Sequence, residues 1–291
     1  MSPRSIISVD VEDYFHVEAF ARVVDRNSWD GYTSRVEANT QRILDLFDDC
    51  RIQGTFFILG WVAERYPHLV RRITERGHEP ACHSYWHRLI YKLTPDEFRE
   101  DTRRAKNCIE QAAGVPIYGY RAPSFSITGR SVWALDILAE LGFRYDSSVF
   151  PVKHDTYGVP DAPRRPFRVE TPFGPIVEFP MATFRFGGGP NLPVAGGGYL
   201  RMFPYFYTRV GVRRAWSEGL PVVSYIHPWE IDPDQPRIEA PLKSRLRHYT
   251  NLSKTETHLR KLLALDHFTS FRDSGLADSA PSFAFKETVS P

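Results

Sequence analysis

The chain has 291 residues, 42% hydrophobic and 25% charged, with 37 Lys and Arg against 35 Asp and Glu for a formal net charge of +2. That length and composition fit one large α/β barrel or two ordinary domains with a sizeable core, and they exclude a disordered or membrane-spanning class. The near balance of charge, with Arg scattered along the chain, provides no field that would select nucleic acid. In chain order, residues 6–11 run apolar and alternate, and they close in Asp10, Glu12 and Asp13. A buried barrel strand delivers carboxylates to its C-terminal mouth in this way, and acids so close together carry a repulsion and desolvation burden that a metal ion relieves. A turn or helix cap is the other use of Asp at such a place. Val36, Ile43, Leu44 and Phe47 recur at helical spacing within residues 34–50, and GTFFIL at 54–59 predicts a second buried strand. A helix over 65–76, with Pro67 near its start and Gly77 as its C-cap, leads to a third strand.

His83 and His87 follow in GHEPACHSYWHR. If the backbone turns helical after His83, the two imidazoles share a face and can hold one divalent metal, although the spacing alone needs partners elsewhere. Thr94, Pro95, Asp96 and Glu97 read as an N-cap, an N1 proline and an acidic first turn, opening a helix that stops at Gly114. A strand at 118–121 ends in Arg121, and Ala122, Pro123, Ser124 and Phe125 make a rigid loop. A helix near 128–141 and a strand at 143–146 continue an alternation that signals a parallel α/β architecture.

Between Pro151 and Tyr207 the pattern breaks into prolines, two triple-glycine runs and short alternating pieces around a turn at 172–175. This predicts a β-rich insertion with mobile loops, either a lid or wall of a substrate groove or a surface elaboration. The barrel pattern resumes with a helix near 207–218 and a strand at 221–226 that ends in His227. HPWEIDPDQPR is then an extended loop, 242–265 is helical, and fraying is expected after Arg272. With no repeats and no long linker, 1–291 reads as a single domain with an insertion at 151–207 and a C-terminal extension over 228–291. Cys50, Cys82 and Cys108 lack any CxxC spacing, and Asp10 interrupts the N-terminal apolar run, so a reducing, cytoplasmic location is expected.

In a barrel, the carboxylates after strand one, the His pair, Arg121 and His227 converge at one mouth. An Arg at a strand end can be a surface residue, and a lone His ending an apolar strand is usually a satisfied core group, so each gains meaning from the others. Through SVDVED, HSYWH, YRAPS and YIHP, taken in this order, the chain resembles the polysaccharide deacetylase family, the NodB-homology fold of carbohydrate esterase family 4. More narrowly, DVEDYFH and HPWEIDP resemble the deacetylase subfamily encoded with exosortase-linked exopolysaccharide clusters.

The resemblance implies a distorted (β/α) barrel of about seven strands and a metal-dependent hydrolase that removes N-acetyl groups from amino-sugars of an exopolysaccharide or its precursor. It implies Asp10 as general base, Arg121 as the group that holds Asp10, His227 as general acid, and the Ser124 backbone N–H as an oxyanion donor. His83 and His87 become ligands of one divalent ion, Zn foremost, with Co, Ni or Mn open. For the carboxylate ligand, strict register selects Glu12, whereas the family's shorter and more usual residue selects Asp13; Asp13 is the expectation. The family's fourth motif, an Asp that supports the acid, is not clear where Asp146, Ser147, Ser148 and Phe150 stand. Trp86, Phe125, Tyr199 and Trp229 are candidates for stacking on sugar rings, with core packing as the alternative. The expected partner is an N-acetylated glycan, with no nucleic acid and no membrane span. A related amide substrate, such as a formyl-amino sugar or a cyclic ureide, and a silent carbohydrate-binding role are the other readings, the last opposed by the intact Asp10, His pair and His227.

Overall fold

The computed structural model describes residues 5–194 and 196–285. The strand β1 (Ser5–Val11) shows why the barrel forms. Ile7, Val9 and Val11 point to the helical layer, while Ile6 points to the barrel interior with Phe57, Ala81, Val223 and Tyr225. A strand buried on both faces belongs in the centre of a parallel sheet. Around it lie β2 (Thr55–Ile58), β3 (Glu79–Cys82), β4 (Gly119–Tyr120), β5 (Tyr145–Asp146), β6 (Phe167–Val169), β7 (Ile176–Glu178), β8 (Thr183–Phe184), β9 (Leu192–Pro193), β10 (Val223–Ile226) and β11 (Phe268–Thr269). The main sheet runs β10-β1-β2-β3-β4-β5-β7-β6, parallel except for β6, and β11 pairs with the first two residues of β1. It curls into a half-barrel of seven parallel strands plus the short β11, the distorted (β/α) barrel expected, and no pairing joins β6 to β10 among the described residues.

The helices are α1 (Val36–Cys50), α2 (Gly60–Arg65), α3 (Pro67–Glu75), α4 (Pro95–Ala113), α5 (Ala134–Glu140), α6 (Gly197–Met202), α7 (Tyr205–Ser217), α8 (Leu242–Tyr249) and α9 (Leu252–Leu263). The Thr94–Glu97 capping box opens α4 as its sequence predicts. The helix expected over 65–76 is α3, which starts at Pro67 as its sequence predicts, and a separate short helix, α2, precedes it because Pro67 drives Tyr66 out of the helical region (φ −125°, ψ 55°). The stretch 242–265 likewise breaks at Asn251, which takes a left-handed φ of 58°.

Two expectations at the margins are corrected. The segment 151–207 is not wholly an insertion, since β7 pairs in parallel with β5 (Tyr145↔Val177, Asp146↔Glu178) and extends the barrel. Within it the β8–β9 ribbon and α6 stand apart from the sheet. Nor do residues just beyond Arg272 fray. Phe283 donates its N–H to the Arg168 carbonyl at 2.8 Å, and Phe283 and Phe285 pack on Phe167. Residues 286–291 lie outside the described residues.

Candidate active site

The period of β1 builds one wall of the site. Ser8, Asp10 and Glu12 follow Ile6 on the inward face at two-residue steps, which carries both acids to the mouth. Asp13 lies one residue further and turns away. Its Oδ2 accepts from Ser34 Oγ (2.7 Å) and from the backbone N–H groups of Arg35 (2.8 Å) and Val36 (3.1 Å), so it caps the start of α1 from a distance. A carboxylate there satisfies free N–H groups and complements the helix dipole. The expectation that Asp13 is the metal ligand is therefore corrected: Glu12 occupies that place.

Glu12, His83 and His87 bring one ligand atom each within 4.8 Å of one another, all three residues buried. Glu12 Oε2 lies 3.0 Å from His87 Nε2, and it has no hydrogen-bond partner although it is buried. Its Oε1 accepts from Trp229 Nε1 at 3.2 Å. The His83 Nδ1–H donates to the Arg121 carbonyl at 2.8 Å, which leaves Nε2 as the free nitrogen. Burial pushes His83 down to about 4, so its imidazole is neutral at pH 7. Burial alone would raise Glu12, but His87, then His227 and His83, hold it well below the ordinary carboxylate range. An orphaned carboxylate oxygen facing two imidazoles, one of them tautomerically fixed from behind, fits a divalent cation of the His₂-carboxylate kind.

The His pair is not on a helix. Ser84 (φ 63°) and His87 (φ 50°) are left-handed, and the loop after β3 folds back through them. Ser124 (φ 52°) and Phe125 (φ 54°) are left-handed as well, so four of the six non-glycine residues with positive φ among the described residues flank this site. Such conformations cost about 1–3 kcal/mol each and persist where the surroundings impose them. The Phe125 and Ser126 amides donate to the carbonyls of Ala122 and Pro123, whereas the Ser124 amide has no acceptor among the described residues.

Arg121 is fully buried. Its Nη1 donates to Asp10 Oδ1 (2.7 Å) and Ser8 Oγ (2.7 Å), its Nε to the Ser147 carbonyl (3.1 Å) and its Nη2 to Ser147 Oγ (3.0 Å). A buried guanidinium with this many acceptors locks the Asp10 carboxylate in orientation. Asp10 Oδ2 lies 3.9 Å from His227 Nε2, and Glu12 Oε1 lies 3.4 Å from it. Burial works against a charged His227, yet Glu230 first, then Glu12 and Asp10, raise it to about 9.

The acid that supports His227 does not come from the fifth strand. Asp146 accepts from Ser148 Oγ (2.6 Å) and from the Ser148 N–H, and it faces Glu178 across the β5–β7 pair. Burial and the Asp146 charge push Glu178 well above its ordinary range, so these carboxyls share a proton. The segment DSS thus serves Arg121 through Ser147 and leaves His227 to Glu230, whose Oε2 accepts from Nδ1 at 2.9 Å. Sequence reasoning missed Glu230; an acid three residues after a strand-ending His, in HPWE, was the available signal. Of the aromatic candidates, Trp229 is buried between His227 and His248, and Phe125 is buried against Tyr225. Trp86 and Tyr199 remain partly exposed. Trp86 lines a cleft of about 590 Å³ with Arg22, Asp25, Arg26 and Arg88.

What these features define is an α/β half-barrel with its polar constellation at the C-terminal strand ends, where such folds carry function. Residues 29–145 match the polysaccharide deacetylase family model, and 147–275 match a family described as a domain of unknown function (DUF3473). A peptidoglycan-N-acetylglucosamine deacetylase of Bacillus cereus is 32% identical over 98 residues, 33% of this chain and 36% of that protein. A chitooligosaccharide deacetylase of a Bradyrhizobium species is 30% identical over 101 residues, 34% of this chain and 43% of that protein. The matches therefore span less than half the length of these relatives. A crystal structure from Mycobacterium smegmatis assigned as a polysaccharide deacetylase superposes with a TM-score of 0.63 at 20% identity, covering 98% of this chain and 95% of that one, a likeness of fold. Over residues 29–145 the chain is similar to the polysaccharide deacetylase family.

No helix among the described residues is long and apolar enough to cross a membrane.

Proposed function

We propose that this protein hydrolyses the acetamide of an N-acetylated amino-sugar. The observation that carries the reading is the joining of two sets of groups at one mouth: the Glu12, His83 and His87 cluster, and an Arg121-held Asp10 that lies 3.9 Å from His227 Nε2. Glu12, His83 and His87 would hold one divalent ion, which when bound polarises the amide carbonyl and acidifies a water. A donor set of two imidazoles and one carboxylate favours Zn, with Co, Ni or Mn also suited to imidazole and carboxylate. Asp10, kept oriented by Arg121, takes the proton of the attacking water. The Ser124 amide supports the oxyanion. His227, whose Nδ1 is fixed by Glu230, presents Nε2 as the acid that protonates the departing amine. Trp86 and the Arg-lined cleft beside His87 offer a wall for the sugar chain. The finer assignment, to an exopolysaccharide or its precursor, rests on the resemblance of DVEDYFH and HPWEIDP.

The test is acetate release from N-acetylglucosamine oligomers, with and without a chelator, beside an Asp10→Asn variant. Activity that the chelator abolishes, Zn or Co restores, and the variant lowers by about 10²- to 10⁴-fold is expected. Activity indifferent to both would sink the reading.

A further inference from the structure

Apart from Asp10 and Glu12, which precede both, the two family matches divide the site between them. His83, His87 and Arg121 fall within residues 29–145, whereas His227 falls within 147–275, a segment whose model carries no function. We propose that this second segment is the proton-donating half of the active site, with Glu230 and Arg201 as positioning residues that hold His227 in its working tautomer and direction. The proposal rests on the deacetylase reading for the purpose of the proton, and on geometry for everything else.

His227 is fixed on several sides. Its Nδ1 faces Glu230 Oε2 at 2.9 Å, and its own backbone N–H donates to the same oxygen at 3.2 Å. Trp229 stacks on one face, with centroids 5.1 Å apart, and the Tyr225 ring meets it edge-on at 5.4 Å. With Nδ1 engaged as donor, Nε2 is the nitrogen turned to Asp10 and Glu12. Glu230 is in turn held by Arg201, whose Nε donates to Oε1 at 3.1 Å. Arg201 is itself anchored from another direction: Nη1 donates to the Thr250 carbonyl (2.6 Å) and Nη2 to the Arg247 carbonyl (2.9 Å). A buried guanidinium with three acceptors is a rigid clamp, and each of its contacts lies in the second segment.

The glycine run before α6 makes this possible. A Cβ on Gly196 or Gly197 would stand 2.5 Å from the Tyr225 side chain, and both have positive φ. Glycine lets α6 pass directly against Tyr225, which brings Arg201 to Glu230. The alternative source of support, Asp146, is engaged by Ser148 and Glu178. A buried ion pair that merely fastened α6 to the loop after β10 would show the same distances, so the test must read something that fastening does not move.

The experiment compares Glu230→Gln with the parent enzyme on two substrates and in one spectrum. An acetamide needs its leaving amine protonated, whereas 4-nitrophenyl acetate releases a phenolate that leaves unaided. The expected result is a fall of about 10- to 100-fold in kcat on the chito-oligomer, a much smaller fall on the aryl ester, and KM and metal content unchanged. Alongside it, the His227 Nδ1 proton, far downfield in the nitrogen-edited NMR spectrum of the parent, moves upfield in the variant. If Glu230→Gln leaves Arg201 unpaired and the protein fails to fold, the neutral double variant Arg201→Met with Glu230→Gln replaces it with the same expectation. Equal losses on both substrates, or an unmoved His227 resonance, would overturn the proposal. A parent enzyme that hydrolyses neither substrate defeats the deacetylase reading, and the resonance alone then decides whether Glu230 positions His227.

Discussion

The two walls of the site are built by different means. On one side Asp10, Glu12, His83 and Arg121 stand at the ends of β1, β3 and β4, so the strands of the sheet place them and a two-residue period aims them. On the other, His227 ends β10, but its orientation depends on Glu230, Arg201 and the carbonyls of Arg247 and Thr250, drawn together from loops and short helices. The first wall is held by backbone pairing between its strands, the second by ion pairs and hydrogen bonds centred on Glu230 and Arg201 and by close packing. The strand-built wall should therefore tolerate neutral substitutions structurally while losing chemistry, and the loop-built wall should be the more sensitive to changes in packing.

The sharpest break of this comparison contrasts neighbours on the strand-built side. Glu12→Gln should lower metal content and deacetylation by more than the roughly 100-fold of an outer-shell change, with no loss of thermal stability, because it removes a buried charge. Asp13→Asn should retain metal and most activity but lose about 1 kcal/mol, the worth of a cap. Metal analysis with thermal unfolding of both variants reads the difference, and the reverse pattern would return Asp13 to the ligand set.

On the loop-built side the two glycine runs separate. Gly196→Ala places a Cβ against Tyr225 at a φ of 110°, and overpacking with backbone strain should cost about 2–4 kcal/mol. Gly188→Ala meets nothing within 4 Å and should stay within about 0.5 kcal/mol. Denaturant midpoints decide, and equal values would mean that α6 does not need its close approach to Tyr225.

An effect set by pH serves as a control outside both walls. His78 is buried under α1, accepts from the Gly54 N–H through Nδ1 at 3.2 Å, and is pushed down to about 4 by burial. Its folded value lies below its unfolded one, so its contribution is complete above about pH 6.5 and fades as pH falls towards 4. By pH 5 the unfolded chain binds the proton that the folded chain refuses, a loss of about 2 kcal/mol. His78→Asn, which keeps an acceptor for Gly54, should flatten that part of the stability profile; an unchanged slope would assign the acid sensitivity to other groups.

Much of this was legible in the residues. The alternating run into Asp10 and Glu12, the capping box of α4, and the strand ends at Arg121 and His227 follow rules that act over a few positions, and the structure places each where those rules put it. Glu12 is an instructive miss. Register pointed to it, and the preference for a shorter side chain drew the expectation to Asp13, which the structure gives to the start of α1, more than twenty positions onward. The helical reading of the His pair failed for a similar reason, since the loop is shaped by left-handed Ser84 and His87, conformations that no local preference of Ser or His announces.

What the sequence determined by itself is therefore the barrel and the identity of its strand-end groups, because hydrophobic period and strand polarity are encoded within each segment. What only the tertiary structure decided is which groups face one another: Glu12 rather than Asp13 beside the His pair, Ser147 under Arg121, and Glu230 with Arg201 behind His227. Arg201 and Glu230 are 29 positions apart and Arg201 and Thr250 are 49 apart. No rule of neighbouring residues links them; they meet because α6 passes over Tyr225 on glycine and the chain closes back on itself, and burial then requires each charge to find its partner.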